Sequence, residues 1–133
     1  MRSGGINWLA TLAAAVAIYA IGFVIYGLLI PAETWMTWTG LTEEQITAVD
    51  RMAYGPIMPI MTAVFLAVLF KWGNVRSAGT GAQWAAVVAL ASAVPGMLYG
   101  WVYGVGPIEM TLVDSGHLLL GHVAAGAILG GWK

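Results

Sequence analysis

The sequence predicts an all-α integral membrane protein, a four-helix bundle with both ends in the cytoplasm and a short amphipathic helix in the outer loop between spans one and two. Three observations carry this. Apolar residues fill 60% of the 133 positions and charged residues only 8%, against about 25% charged in ordinary soluble domains. Four apolar runs approach the length of roughly 20 residues that crosses a bilayer as a helix. The basic residues gather on one side of that arrangement, and the tryptophans fall at its boundaries.

The first span is read at residues 6–30, ending at Pro31. It is longer than a signal-peptide core of roughly 7–15 residues, so it is expected to be retained as a span. The second runs over 57–72, the third over 82–103 and the fourth over 107–131. Within them the single basic residue is Lys71, at the end of the second, and the acids Glu109 and Asp114 belong to the fourth. Strands of a membrane barrel would be about 10 residues long with alternating polarity, and no segment alternates. The whole chain reads as one transmembrane domain.

Orientation follows from Arg2, Lys71, Arg76 and Lys133, which share a side in a four-span chain, with no acid beside them. Glu33, Glu43, Glu44, Asp50 and Glu109 take the other side, with Arg51. The positive-inside rule then places both termini in the cytoplasm. Trp8, Trp72, Trp84 and Trp132 fall at the inner ends of the spans, and Trp35, Trp38 and Trp101 at or beyond the outer ends. Indole prefers that boundary. In the outer loop, Thr42 and Gln45 have capping-box spacing with Glu43 and Glu44 in the first turn. Ile46, Val49 and Ala53 recur at helical spacing, which predicts the amphipathic helix. Residues 73–81 are expected to form a short inner loop.

Close helix packing in lipid favours small residues. Gly96, Gly100 and Gly104 step along the third span, and Gly121, Ala125, Gly126 and Gly130 along the fourth. The cytoplasmic half of the third span offers Ala82, Ala85, Ala86 and Ala89 as well. They are candidate packing faces, either within the chain or between copies of it. Pro95 predicts a kink near Gly96.

Two polar layers are candidate ligand-binding sites. Tyr19, Thr62, Ser92 and His122 sit near mid-span, one per helix, where a polar group needs a partner. The plain alternative is a hydrogen-bonded layer that fixes helix register. Nearer the outside lie Tyr26, Tyr54, Tyr99, Tyr103, Asp114 and His117, with Asp114 and His117 on one helix face. The plain alternative there is an interfacial aromatic belt; the functional one is an outward-facing pocket.

Much chemistry is excluded or unmarked. The chain has no cysteine, so disulfides and thiolate sites are ruled out. Asp114, His117 and His122 span about 12 Å of helix and cannot ligate one ion together, so no metal site is expected, and no cofactor is indicated. There is no phosphate loop, nucleophile elbow or H-E-x-x-H motif. The net charge of −1 gives no ground for nucleic-acid binding. The expected partners are the lipid bilayer and other protein subunits.

Asn7-Trp8-Leu9, Gly22, Tyr26, Trp35-Met36 and Gly40-Leu41-Thr42-Glu43-Glu44 occur in an order that resembles a bacterial family of short four-span proteins, the domain of unknown function DUF1761. The closing run Gly126-Ala127-Ile128-Leu129-Gly130-Gly131-Trp132 resembles that family's last motif. The likeness extends over essentially the whole chain. One departure is Ile25-Tyr26-Gly27, where the family tends to carry a Trp-Tyr-Ser-Pro-like string. The resemblance implies a bacterial inner-membrane protein and no particular activity. The functional expectation is a non-enzymatic homo-oligomer or accessory subunit of a membrane complex. The alternative is a small-molecule transport or binding protein using the layers around His122 and around Asp114 and His117.

Overall fold

The computed structural model describes residues 2–46 and 52–132, and this part of the chain is almost entirely helical. Before the first helix, Arg2–Ser3 pairs antiparallel with Ile6–Asn7. Gly4 and Gly5 make the tight turn with φ of 59° and 79°, a conformation that favours glycine at both positions. Helix α1, Trp8–Gly22, starts where the Asn7 side chain accepts from the Ala10 amide. It runs on without a break as a π-helix over Phe23–Leu29, in which the Ile30 amide reaches back five residues to the Ile25 carbonyl. Together they make a 22-residue apolar rod.

The connection that follows holds two short helices. Helix α2, Ala32–Thr39, follows Pro31 and ends at Gly40, whose φ of 67° closes it in the left-handed region. It was not foreseen. Helix α3, Glu43–Ile46, is a single turn where the amphipathic helix was expected to begin. Its start is the reciprocal box: the Thr42 amide donates to Gln45 Oε1, and the Gln45 amide to Thr42 Oγ1. Val49 lies outside the described residues.

Helix α4, Ile57–Trp72, is apolar but only 16 residues long. It buries Pro59, Ala63, Leu66, Ala67 and Phe70, one face at helical spacing. It closes through the Val75 amide on the Phe70 carbonyl, with Asn74 left-handed at φ 51°, the geometry of a Schellman stop. Helix α5, Ala78–Val88, begins four residues earlier than expected because Ser77 caps it, its hydroxyl accepting from the Thr80 amide. A π-turn over Ala89–Ala93 leads into helix α6, Val94–Tyr103. The kink expected at Pro95 takes this form. Proline lacks an amide and crowds the carbonyl four residues before it, and the wider turn, with the Val94 amide on the Ala89 carbonyl, makes room. Helix α7, Ile108–Gly131, completes the chain. Three rods, Trp8–Leu29, Ala78–Tyr103 and Ile108–Gly131, are long and apolar enough to cross a membrane.

The residue sizes are inverted relative to a water-soluble protein. The core is made mostly of alanine, Ala14, Ala15, Ala63, Ala85 and Ala125, with Ile18, Leu66 and Phe70. Large apolar side chains such as Leu12, Val16, Phe23, Phe65, Leu90 and Leu112 are exposed. Contiguous apolar surface on this scale suits a hydrocarbon solvent, not water.

Contacts fix the relative directions of the rods. Gly121 lies against Ile18, Gly22 against His117, and Gly130 against Ser77. Helix α7 therefore runs antiparallel to α1 and to α5. Lys71 at the end of α4 packs on Gly5, while Gly55 just before α4 lies beside the Tyr19 ring, so α4 descends along α1. The tightest contact joins α5 and α7. A Cβ on Gly81 would collide with the Gly126 carbonyl oxygen, and one on Gly130 with the Ser77 carbonyl oxygen. Of the expected packing residues, Gly121, Ala125, Gly126 and Gly130 are buried; Gly126 and Gly130 face α5, and Gly121 faces α1. Gly81, assigned to a loop from the sequence, belongs to this seam instead. Among the described residues, nothing lies within 4 Å of a Cβ position on Gly96 or Gly100, and Gly104 meets only the carbonyl of Gly100. The reading of that row as a packing face within the chain is corrected: α6 turns Gly96 and Gly100 outward.

Candidate functional site

Helices α1 and α7 meet at their far ends around Tyr26, Asp114 and His117. The spacing on α7 puts Asp114 and His117 on one face, and the π-helical stretch carries Tyr26 opposite them. The Tyr26 hydroxyl donates to Asp114 Oδ1 at 2.5 Å and lies 3.4 Å from His117 Nδ1. The first is a short charge-assisted bond when Asp114 is ionised. The second is long, beyond the usual range of 2.7–3.2 Å for N–H···O. The Tyr26 and His117 rings stand edge to face with centroids 5.2 Å apart.

The other edge of the imidazole enters a space that only glycine leaves. A Cβ on Gly22 would lie 3.0 Å from His117 Nε2. Nε2 is buried without a hydrogen-bond partner among the described residues. Ser115 Oγ is a second buried polar atom without one. The proton count shows why the ring is left incomplete. The single Tyr26 proton goes to Asp114, so Nδ1 can bond Tyr26 only as a donor, and Nε2 then carries a lone pair with nothing to accept. In the other tautomer Nε2–H has no acceptor in line and Nδ1 no donor.

Helix α2 covers this cluster. Trp35 sits edge-on to Tyr26 with centroids 5.3 Å apart, and Trp38 follows it at 6.4 Å. Tyr26, Trp35, Asp114 and His117 are all partly exposed. The cations Lys71 and Arg76 are at the opposite end, beside Asn7 and Gly130. The site is therefore a half-buried carboxylate that accepts from a phenol, with two indole rings and the edge of an imidazole beside it.

Of the ten residues in the two polar layers, Tyr26, Asp114 and His117 are thus brought together. Tyr99 is exposed and stacks on Tyr103 at 6.0 Å. The midplane layer does not converge. Tyr19 is exposed, with its ring beside Gly55. Ser92 is exposed, and its hydroxyl donates to the Val88 carbonyl at 2.7 Å. His122 is buried, but its Nδ1–H donates to the Leu118 carbonyl at 2.7 Å. The last two polar groups meet their needs on their own helices, so equal depth did not make them partners. Among the described residues no three His, Asp or Glu side chains are grouped as a metal ion would require.

Sequence reasoning missed Trp35 and Gly22 as site residues, having read Trp35 as an interface anchor. The signal was present: Gly22 and Tyr26 are four apart on one helix face, a small residue next to a large one. Both, with Trp35, are among the residues that carry the family resemblance. No curated protein and no solved structure matches the chain. The match that exists is to a family model over residues 9–130, nearly the whole length, and the chain therefore belongs to the family described as a protein of unknown function (DUF1761).

Proposed function

We propose that this chain crosses the bacterial cytoplasmic membrane four times, with both termini inside, and binds a small molecule at its outer end without chemically transforming it. The molecule brings a cationic or hydrogen-bond-donating group to Asp114 and an apolar part to Tyr26 and Trp35. Four crossings are supported by direction. Helices α1 and α5 run the same way, so the chain must return between them, and α4 is the apolar helix that does so. At 16 residues it covers about 24 Å, and the turns around Pro56 make up length. The inside assignment rests on Lys71 and Arg76 lying at the Trp8 end. Reporters fused within residues 73–77 should read cytoplasm and one near Glu43 outside; the reverse pattern overturns the orientation.

The observation that carries the binding reading is the half-buried Asp114 carboxylate, bonded to Tyr26 and flanked by the Trp35 ring. A carboxylate at membrane depth is costly unless neutralised, and aromatic faces beside it favour a positive charge. The test is binding of benzylammonium, which offers donors, and tetraphenylphosphonium, which offers only charge, followed through tryptophan fluorescence. Asp114→Asn should weaken benzylammonium binding about tenfold, as expected for loss of one charged contact of about 1.4 kcal/mol. Equal binding by the variant removes this site from the proposal.

A second reading, a homo-oligomer or accessory subunit, is favoured by the outward row of Gly96 and Gly100 on α6. It predicts a dimer or larger species in detergent that persists on dilution.

A further inference from the structure

At the end of the molecule opposite Asp114, the chain encloses a cavity of about 670 Å³ between the start of α1, the end of α4 and the end of α7. Its walls are of two kinds. Ala67, Phe70 and Leu129 are apolar; Asn7, Lys71, Asn74 and Arg76 are polar or cationic, and Trp132 closes one side. No acid is among its described lining residues. Glu33, Glu109 and Asp114 belong to segments at the other end. Two cations that share an open cavity with no acid among the described residues that line it are the feature that needs an explanation.

Both cations are held in place. The Lys71 stem passes over Gly5, where a Cβ would come within 3.2 Å of Lys71 Cε. Gly5 also has φ 79°, so the N-terminal turn is shaped in a way that admits this side chain. Arg76 donates through Nε to Asn74 Oδ1 at 2.6 Å. Asn74 is itself fixed by its left-handed place in the α4 stop. That bond uses Nε and leaves the terminal guanidinium nitrogens available. Asn7 accepts from Ala10 through Oδ1, which leaves its amide protons free as further donors, and the α1 N-terminus adds its partial positive charge.

We propose that this cavity binds a phosphate-ester anion, with Lys71 and Arg76 as its cationic contacts and Asn7 as a neutral donor. Guanidinium and ammonium beside an amide match a phosphate's several acceptor oxygens. Two sources offer that chemistry: the headgroup of an anionic phospholipid, or a soluble phosphate. Trp8, Trp72 and Trp132 mark this end as the headgroup level, and Phe70, Ala67 and Leu129 give an acyl chain an apolar wall. The inference is independent of ligand binding at Asp114.

The test uses the full-length protein in neutral detergent, its thermal midpoint followed as phosphatidylglycerol, phosphatidylcholine or inorganic phosphate is added. Phosphatidylglycerol should stabilise at a concentration roughly thirtyfold below phosphatidylcholine, the ratio for two surface cations on one anion. The double variant Lys71→Gln with Arg76→Gln should remove that preference, and Lys71→Arg with Arg76→Lys should keep it. Stabilisation by phosphatidylglycerol without inorganic phosphate assigns the site to lipid. Stabilisation by inorganic phosphate that the Gln variant abolishes assigns it to a soluble ligand. Equal response to the two lipids with none to phosphate, or an unchanged preference in the Gln variant, overturns the proposal. If the Gln variant does not fold, Asn7→Ala replaces it: that change should weaken the lipid preference, and an undiminished one is an overturning result.

Discussion

The two halves of the third rod carry the same kind of residue and behave in opposite ways. In α5, Gly81 and Ala85 step by four and are buried against α7, with Gly81 and Gly126 in backbone contact. In α6, Gly96 and Gly100 also step by four, and no described residue comes within 4 Å of their Cβ positions. Between the halves lies the π-turn Ala89–Ala93. An extra residue in a turn rotates all that follows by about 100°. Beyond it the partly buried face belongs to Val94 and Met97, and glycine looks outward. The small-xxx-small pattern therefore identifies a face that can approach another closely, without saying whether anything does. The Asp114 end is held differently from the seam, by a side-chain hydrogen bond between α1 and α7 rather than by touching backbones.

Gly126→Leu should break the seam outright. The new side chain would meet the Gly81 backbone and Ala85, neither of which can swing aside, so a loss of about 3 kcal/mol or more is expected. Chemical or thermal denaturation in detergent measures it, and a near-neutral result would mean that the helices are not in contact. Tyr26→Phe removes the donor to Asp114 and leaves a partly buried carboxylate oxygen unpaired. A loss of about 1–3 kcal/mol is expected. Asp114→Asn combined with Tyr26→Phe should cost less than the sum of the two, because both changes break one bond; strict additivity would show that the bond does not form. The smallest effect is assigned to Gly100→Leu. With open space at its Cβ position, it should change the stability of a single chain by no more than about 0.5 kcal/mol. If the same change dissociates an oligomer, the row is a seam between copies. If it unfolds the isolated chain, the comparison between the two halves of the rod fails.

Several features were legible in the residues alone. Pro31 and the Thr42–Gln45 box mark a local stop and a local start that depend on a few neighbouring atoms. Asp114 and His117 could be paired because their spacing on one helix fixes a shared face. Tyr26 could be placed at their level by counting along the spans. His122 and Ser92 show where such counting fails. Both lie at mid-span, and each bonds a carbonyl of its own helix, a solution invisible to an argument from depth. Ser77 is the opposite case: its capping signal stands five residues ahead of the expected start of the third span, and it places Gly81 in the helix rather than in the loop.

The sequence by itself determined the apolar, helical character of this protein and the position of its residues along each rod, since the low charge and the long apolar runs suit hydrocarbon and chain length along a helix converts directly into distance. The tertiary structure alone decided which way each residue faces. Hydrophobicity is indifferent to rotation about a helix axis when lipid and protein interior are equally apolar. The direction had to come from contacts: backbone against backbone at Gly81 and Gly126, imidazole against Gly22, and the phenol of Tyr26 against Asp114.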